Sequence, residues 1–220
     1  MHHSSTGPWT GRRGRDRQVV AKRVFDILLS GFGVMGSSPV WLIISLAIKL
    51  ADGGPLFYLQ ERVGRDGRIF RVIKFRSMVT NAEDATGPVQ AAEHDPRVTR
   101  IGRLLRATAM DELPQLVNIF KGDMSFVGPR ALRPREREVH GNGQAVAIES
   151  VPGYRERLEV TPGLTGLAQV YLPADAPRRR KFRYDLLYIR RYSFCLDLKL
   201  ILLSFLITFR GKWEYSGKKV

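Results

Sequence analysis

One cysteine, Cys195, excludes an intrachain disulfide and any cysteine-based zinc cluster, and it suits a reducing cytoplasm. The four histidines show no metal-ligand spacing, and the adjacent His2-His3 reads equally as native sequence or as a purification remnant. No P-loop, GxGxxG fingerprint or HExxH occurs, so nucleotide hydrolysis of the usual kind and zinc proteolysis lack support. Acidic residues are scarce, 21 against 36 Lys and Arg, which leaves a formal charge of +15. Such a surface needs an anionic partner, whether nucleic acid, acidic lipid headgroups or a phosphorylated substrate. A length of 220 residues fits one domain plus an anchor.

What is present is a run of 22 residues without a formal charge, Ile27 to Ile48, with basic sequence on both sides. By length it can cross a bilayer core. Basic loops resist translocation, however, and here both flanks want the cytoplasmic face. Pro39 removes a backbone donor and crowds the carbonyl four residues earlier, while Ser38 can hydrogen-bond back to a freed carbonyl. The preferred reading is a re-entrant anchor that turns at Ser38-Pro39 and leaves on the side it entered; a spanning helix and a buried soluble helix are the alternatives. A cleaved signal peptide is disfavoured, because no small-residue cleavage site follows the run.

Residues 1 to about 20 read as a flexible basic tail, and 21–220 as a single catalytic domain that includes a re-entrant membrane helix over about 24–50. Apolar and aromatic runs bracket Gly64 to Gly67, which predicts a β-hairpin between Pro55 and Met78. Asn81 to Asp95 is polar and reads as a loop. From Asp95, DPRVTRIGRLLR places Val98, Ile101, Leu104 and Leu105 at helical spacing among arginines. Such a helix lies either in the headgroup plane or on a soluble core. A second helix is expected from about Asp111 to Lys121, stopped by Gly122. Asp123 to Arg133 and Pro162 to Gly166 read as loops. Near the end, basic and aromatic residues lead into an apolar run, Leu198 to Phe209, read as an interfacial helix. Asp185 and Asp197 are expected to be structural partners of nearby arginines, and Cys195 a small interfacial apolar residue.

Asp111-Glu112 is the most informative polar pair. Adjacent carboxylates at a helix start are ordinarily caps favoured by the dipole. Arg106 upstream, the free N–H groups of a helix start and Arg130 in a Gly-Pro-Arg turn favour a phosphate beside them. A carboxylate, a divalent ion and several arginines suit phosphoryl transfer, in which an aspartate can form an acyl phosphate. Lys74 and Arg76, read without further context, face solvent or headgroups.

An ordered set of motifs then carries a resemblance: KRVFDILLS from Lys22, the Ser38-Pro39 pair, QERVGRDGRIFRVIKFRSM from Gln60, DPRVTRIGRLLRATAMDELPQLVNIFKGDMSFVGPR from Asp95, VTPGLTGLAQV from Val160 and YDLLYIRRYSFCLDLKLI from Tyr184. From about Lys22 to the C-terminal region the chain resembles the small monotopic phosphoglycosyl transferases of the bacterial sugar transferase group. The resemblance implies transfer of a sugar-1-phosphate from a UDP-sugar to polyprenol phosphate, with release of UMP. It implies Asp111 as nucleophile and covalent carrier of the phospho-sugar, Glu112 as its partner, and Mg2+ held by Asp111 and Glu112. It also implies phosphate-binding roles for Arg106, Lys74, Arg76 and Arg130. The family often reads GPRP, whereas Ala131 follows Arg130 here. Some relatives carry an extra N-terminal membrane domain; this chain is expected to lie close to the minimal catalytic unit.

The expected fold class is α+β and mostly helical: a monotopic membrane protein with a re-entrant helix broken at Ser38-Pro39, amphipathic interfacial helices and a small β-hairpin. The expected location is the cytoplasmic face of a bacterial inner membrane, with anionic lipids as partners, no nucleic acid, and a homodimer left open. The alternative from another class is a non-enzymatic basic module on a membrane that holds nucleic acid or an acidic partner. No motif marks the sugar.

Overall fold

The computed structural model describes residues 12–82, 95–139 and 145–210. Helix α1 spans Arg12–Asp52, so helical backbone starts inside the segment read as a tail; residues 1–11 lie outside the described residues. Within it, Gln18–Asp52 is the one described helix long and apolar enough to cross a membrane, and its most apolar 18-residue stretch has a mean hydropathy of 1.8. The backbone stays helical through Pro39, where an interruption was expected. The reason is local. Pro39 leaves the Met35 carbonyl without its N–H partner, and Ser38 Oγ donates to that carbonyl at 2.8 Å. Ser37 Oγ donates to the Gly33 carbonyl at 2.6 Å and accepts from Trp41 Nε1 at 2.9 Å.

One side of α1 lies along the rest of the chain. At its N-terminal end Lys22 pairs with Asp197, and Arg23 donates to the carbonyls of Ile119 and Phe120, both at 2.7 Å. At its far end Asp52 pairs with Arg76. Between them Trp41, Ile44 and Ile48 pack around Phe75 and Leu105. The opposite side exposes Val24, Leu28, Phe32, Met35, Leu42, Ile43, Leu46 and Leu50.

The expected hairpin is present. Strands β1 (Phe57–Val63) and β2 (Ile69–Phe75) pair antiparallel around a 3-10 turn, Arg65–Gly67, with Tyr58 opposite Lys74 and Arg62 opposite Phe70. The basic amphipathic segment starts its helix later than expected: α2 is Arg100–Ala107, capped by Thr99, whose side chain accepts from the Gly102 N–H. A Cβ on Gly102 would meet the Ser77 carbonyl oxygen at 1.8 Å, so glycine lets α2 rest on the chain leaving β2.

The expected helix over Asp111–Lys121 is split. Met110–Glu112 forms a 3-10 turn, and α3 runs only from Gln115 to Lys121, with Pro114 before it. Gly122 ends α3 at φ 98°, the left-handed stop its position implied. The stretches read as loops contain paired strands: β3 (Ser125–Val127) lies parallel to β6 (Gly163–Thr165). A Cβ on Gly163 would meet the Gly128 nitrogen at 2.0 Å, so this pairing depends on two backbones touching where no side chain intervenes. Between these strands lie the hairpin of β4 (Arg137–Val139) and β5 (Ala145–Ala147) and the short helix α4 (Tyr154–Arg157).

Helices α5 (Leu167–Tyr171), α6 (Arg178–Arg190) and α7 (Phe194–Phe209) complete the described residues. Val127, Val170, Tyr188, Leu200 and Ile207 form their shared core. The terminal aspartates are structural, but their partners come from far away in the sequence. Asp197 takes Lys22 and accepts from Tyr188 Oη at 2.7 Å; Asp185 takes Arg157 at 3.1 Å. Cys195 is exposed near the start of α7.

Candidate active site

The site forms where the hairpin, the Met110–Glu112 turn and the β3–β6 loops meet. Ala109, just before the turn, sits at φ 53°, ψ 19°, a left-handed conformation that costs a non-glycine residue about 1–3 kcal/mol. That bend carries the chain from the end of α2 into Asp111 and Glu112. Asp111 is buried, and Glu112 sits next to the hairpin. Lys74 Nζ donates to Glu112 Oε1 at 2.6 Å, joining the middle of the site to β2. Burial alone would raise the Glu112 carboxyl, but the charges of Lys74 and Arg130 outweigh it and hold the group below the usual carboxylate range.

Asn118 fixes α3 against the same strand. Its Oδ1 accepts from the Ile73 N–H at 3.0 Å and its Nδ2 donates to the Arg71 carbonyl at 2.8 Å, the bonds a neighbouring strand would make. One helical turn earlier, this places Gln115 beside Glu112. Its Nε2 is buried and reaches no acceptor at hydrogen-bond distance.

Arg130 arrives from the β3–β6 side. The Gly163 N–H donates to the Pro129 carbonyl at 2.9 Å, and Arg157 Nη2 donates to the Arg130 carbonyl at 2.6 Å. The Arg130 side chain is left exposed at the rim of a cleft whose walls include Arg62, Lys74, Glu112, Gln115 and Ala131. Arg62 donates to the Ala131 carbonyl at 3.0 Å and to Gln60 Oε1. Burial, together with the nearby charges of Arg130 and Arg133, pushes the Arg62 guanidinium down to about 10.

Lys74, Glu112 and Arg130 thus line one cleft. Asp111 adjoins Glu112 without forming a wall of this cleft. Arg106 is half-buried in the last turn of α2, also outside the walls. Arg76 is elsewhere: it is buried, pairs with Asp52 and donates to Thr80 Oγ1 at 2.9 Å, so it fastens the end of α1. Four of the N–H groups around the helix start expected to receive an anion are used internally. Those of Glu112, Leu113, Leu116 and Val117 donate to the carbonyls of Ala109, Met110, Leu113 and Pro114.

Arg62, Gln115 and Asn118 were not singled out from the sequence. Arg62 was within reach. Once the turn at Gly64–Gly67 sets the register, the period of two puts Tyr58, Gln60 and Arg62 on the face that carries Lys74. No local pattern marks Gln115 or Asn118.

Among the described residues no group of three or more His, Cys, Asp or Glu surrounds a metal position. Two carboxylates beside a cationic cleft still fit Mg2+, which is commonly held by one or two carboxylates with substrate phosphates and water completing its shell.

A family model described as bacterial sugar transferase matches residues 17–211. The exopolysaccharide production protein PSS of Rhizobium leguminosarum bv. phaseoli is 40% identical over 188 residues, covering 83% of this chain and 92% of that protein. A Klebsiella pneumoniae protein named UDP-glucose:undecaprenyl-phosphate glucose-1-phosphate transferase is 40% identical over 202 residues, 90% of this chain but 42% of its own length. An Aeromonas hydrophila protein named UDP-N-acetylgalactosamine-undecaprenyl-phosphate N-acetylgalactosaminephosphotransferase is 40% identical over 183 residues, 82% of this chain and 41% of its own length. The chain therefore spans about two fifths of some relatives and nearly all of another. With the match extending from the first turns of α1 to just past α7, the chain belongs to the bacterial sugar transferase family.

Proposed function

We propose that this protein transfers a sugar-1-phosphate from a UDP-sugar to polyprenol phosphate at the cytoplasmic face of the bacterial inner membrane. The observation that carries the reading is the cationic cleft of Arg62, Lys74 and Arg130 against Glu112, immediately beside Asp111. The substrates in the relatives' names, UDP-linked sugars and undecaprenyl phosphate, supply the chemistry such a cleft suits.

In this reading an Asp111 carboxylate oxygen attacks the β-phosphorus of the UDP-sugar. The bond from that phosphorus to the bridging oxygen breaks, UMP leaves, and the phospho-sugar remains on Asp111 as an acyl phosphate. An oxygen of polyprenol phosphate then attacks the same phosphorus, restoring the carboxylate and giving a polyprenol-diphosphate sugar. Arg130 and Lys74 offset charge on the phosphoryl oxygens, and Glu112, ionised by its surroundings, keeps Lys74 in place. Mg2+ held by Asp111 and Glu112 would weaken the repulsion between an anionic nucleophile and a diphosphate.

The membrane reading is monotopic. Contacts along α1, from Lys22–Asp197 to Asp52–Arg76, bind both of its ends to one body. A helix held lengthwise by a charged domain is poorly placed to cross a bilayer. Its exposed apolar side, with Leu202, Phe205, Leu206 and Phe209 of α7, exceeds what a water-facing surface normally carries and suits one leaflet. Single cysteines at Gln18→Cys and Gly53→Cys, each in a Cys195→Ser background, should both resist an impermeant thiol reagent outside the cell and react in inverted vesicles. Labelling of only one of them from outside would establish a span instead.

The transferase reading is tested by UMP release from a panel of UDP-sugars with polyprenol phosphate and Mg2+. UMP should appear with at least one sugar, and the responding sugar identifies the donor. No UMP with any of them, alongside salt-dependent nucleic-acid binding, would favour the non-enzymatic module.

A further inference from the structure

We propose that Arg62 and Gln115 are two further ligands of the substrate's diphosphate, Arg62 as a second guanidinium facing Arg130 and Gln115 as a neutral N–H donor beside Glu112. The proposal rests on the transferase reading and deepens it.

The first observation is an unmet donor. Gln115 is 4% exposed, lines the cleft, and has a buried Nε2 with no hydrogen-bond partner. A buried N–H without an acceptor is costly, so native structures rarely leave one unless something else supplies the acceptor. Here the amide opens onto a cleft lined with cations, where an anionic oxygen would be that acceptor.

The second observation is unbalanced charge. The Lys74 ammonium is answered by Glu112, and Glu136 by Arg178. Neither Arg62 nor Arg130 makes an ion pair among the described residues. Arg62 spends one hydrogen of each terminal nitrogen on Ala131 and Gln60, which fixes the plane of its fork. The remaining N–H groups stay available while the side chain is already oriented. A half-buried guanidinium repelled by Arg130 and Arg133 is poised to gain from a multiply charged anion. Arg62 and Lys74 stand on the same face of the hairpin, four residues apart in register, and Glu112, Gln115 and Arg130 line the same cleft.

The test is equilibrium binding of two probes, inorganic pyrophosphate and UDP, to the full chain in lipid nanodiscs. Wild type is compared with Arg62→Gln and Gln115→Leu, and the melting temperature of each ligand-free protein is measured in parallel. Each variant should weaken both probes by about tenfold or more. Ligand-free melting should be unchanged or raised, since one variant removes like-charge repulsion and the other an unmet donor. A purely structural role predicts the reverse: lower ligand-free melting with wild-type affinity. That result, or a wild-type protein that binds neither probe, overturns the proposal. If the variants lose pyrophosphate while wild type releases no UMP from any UDP-sugar, the cleft assignment stands and the transferase reading falls. If wild type releases UMP and the variants bind and turn over as it does, the reading survives and this assignment falls.

Discussion

Replacing Asp111 with asparagine should lower UMP release by about a thousandfold or more while leaving membrane association and melting temperature close to wild type. The carboxamide keeps the shape of the side chain but offers no anionic oxygen to attack phosphorus. Loss of a covalent nucleophile is among the largest effects a single substitution has on turnover. On the monotopic reading membrane binding rests on other elements, the exposed apolar sides of α1 and α7, and should not change. The measurement pairs UMP release with mass spectrometry of enzyme quenched during turnover. Wild type should carry a phospho-sugar on the peptide containing Asp111, and the variant should carry none. An adduct that persists in Asp111→Asn would move the nucleophile to another residue.

The second large effect lies behind Arg130. Arg157 and Asp185 are 4% and 3% exposed, joined at 3.1 Å, with the guanidinium 4.5 Å from the centre of the Phe182 ring. Burial pushes the Arg157 guanidinium down and the Asp185 carboxyl up, and each is opposed by the charge of the other. Asp185→Asn would leave an uncompensated cation in that interior, a change that typically costs about 3–5 kcal/mol. For a chain of this size that corresponds to a fall in melting temperature of roughly 10 °C. Exchanging both members for apolar residues, Arg157→Met with Asp185→Leu, should recover much of the stability, because the pair itself is close to neutral once its desolvation is counted. UMP release should not recover. The double variant still lacks the Nη2 donor that holds the Arg130 carbonyl at 2.6 Å. Recovery of both properties together would show that Arg157 stabilises the fold without positioning Arg130.

Much of this architecture is legible along the chain because its causes are local. The Gly64–Gly67 turn between apolar runs marks the β1–β2 hairpin, and Gly122 marks the end of α3. The charge-free run with basic flanks marks the long apolar helix α1. The Ser38-Pro39 pair was legible only in part: its side-chain bond to a freed carbonyl is present, but that bond preserves the helix where a break was expected. The Asp111-Glu112 pair was read as the start of a helix running to Lys121, whereas a 3-10 turn over Met110–Glu112 carries the pair and the α-helix begins only after Pro114. Arg76 carried the same basic signature as Lys74, and only its burial against Asp52 separates their roles.

By itself, the order of residues determined the elements whose stability comes from neighbours within a turn or two: the hairpin, the apolar helices, the helix stops and the acidic pair. Tertiary structure decided which side chains meet. Lys22 with Asp197, Arg157 with Asp185, Asn118 with the edge of β2, and Arg62, Lys74, Gln115 and Arg130 around one cleft all join residues distant along the chain. Such pairings leave no period in the sequence, because burial and charge choose partners by proximity in space, and that proximity exists only after the elements have packed.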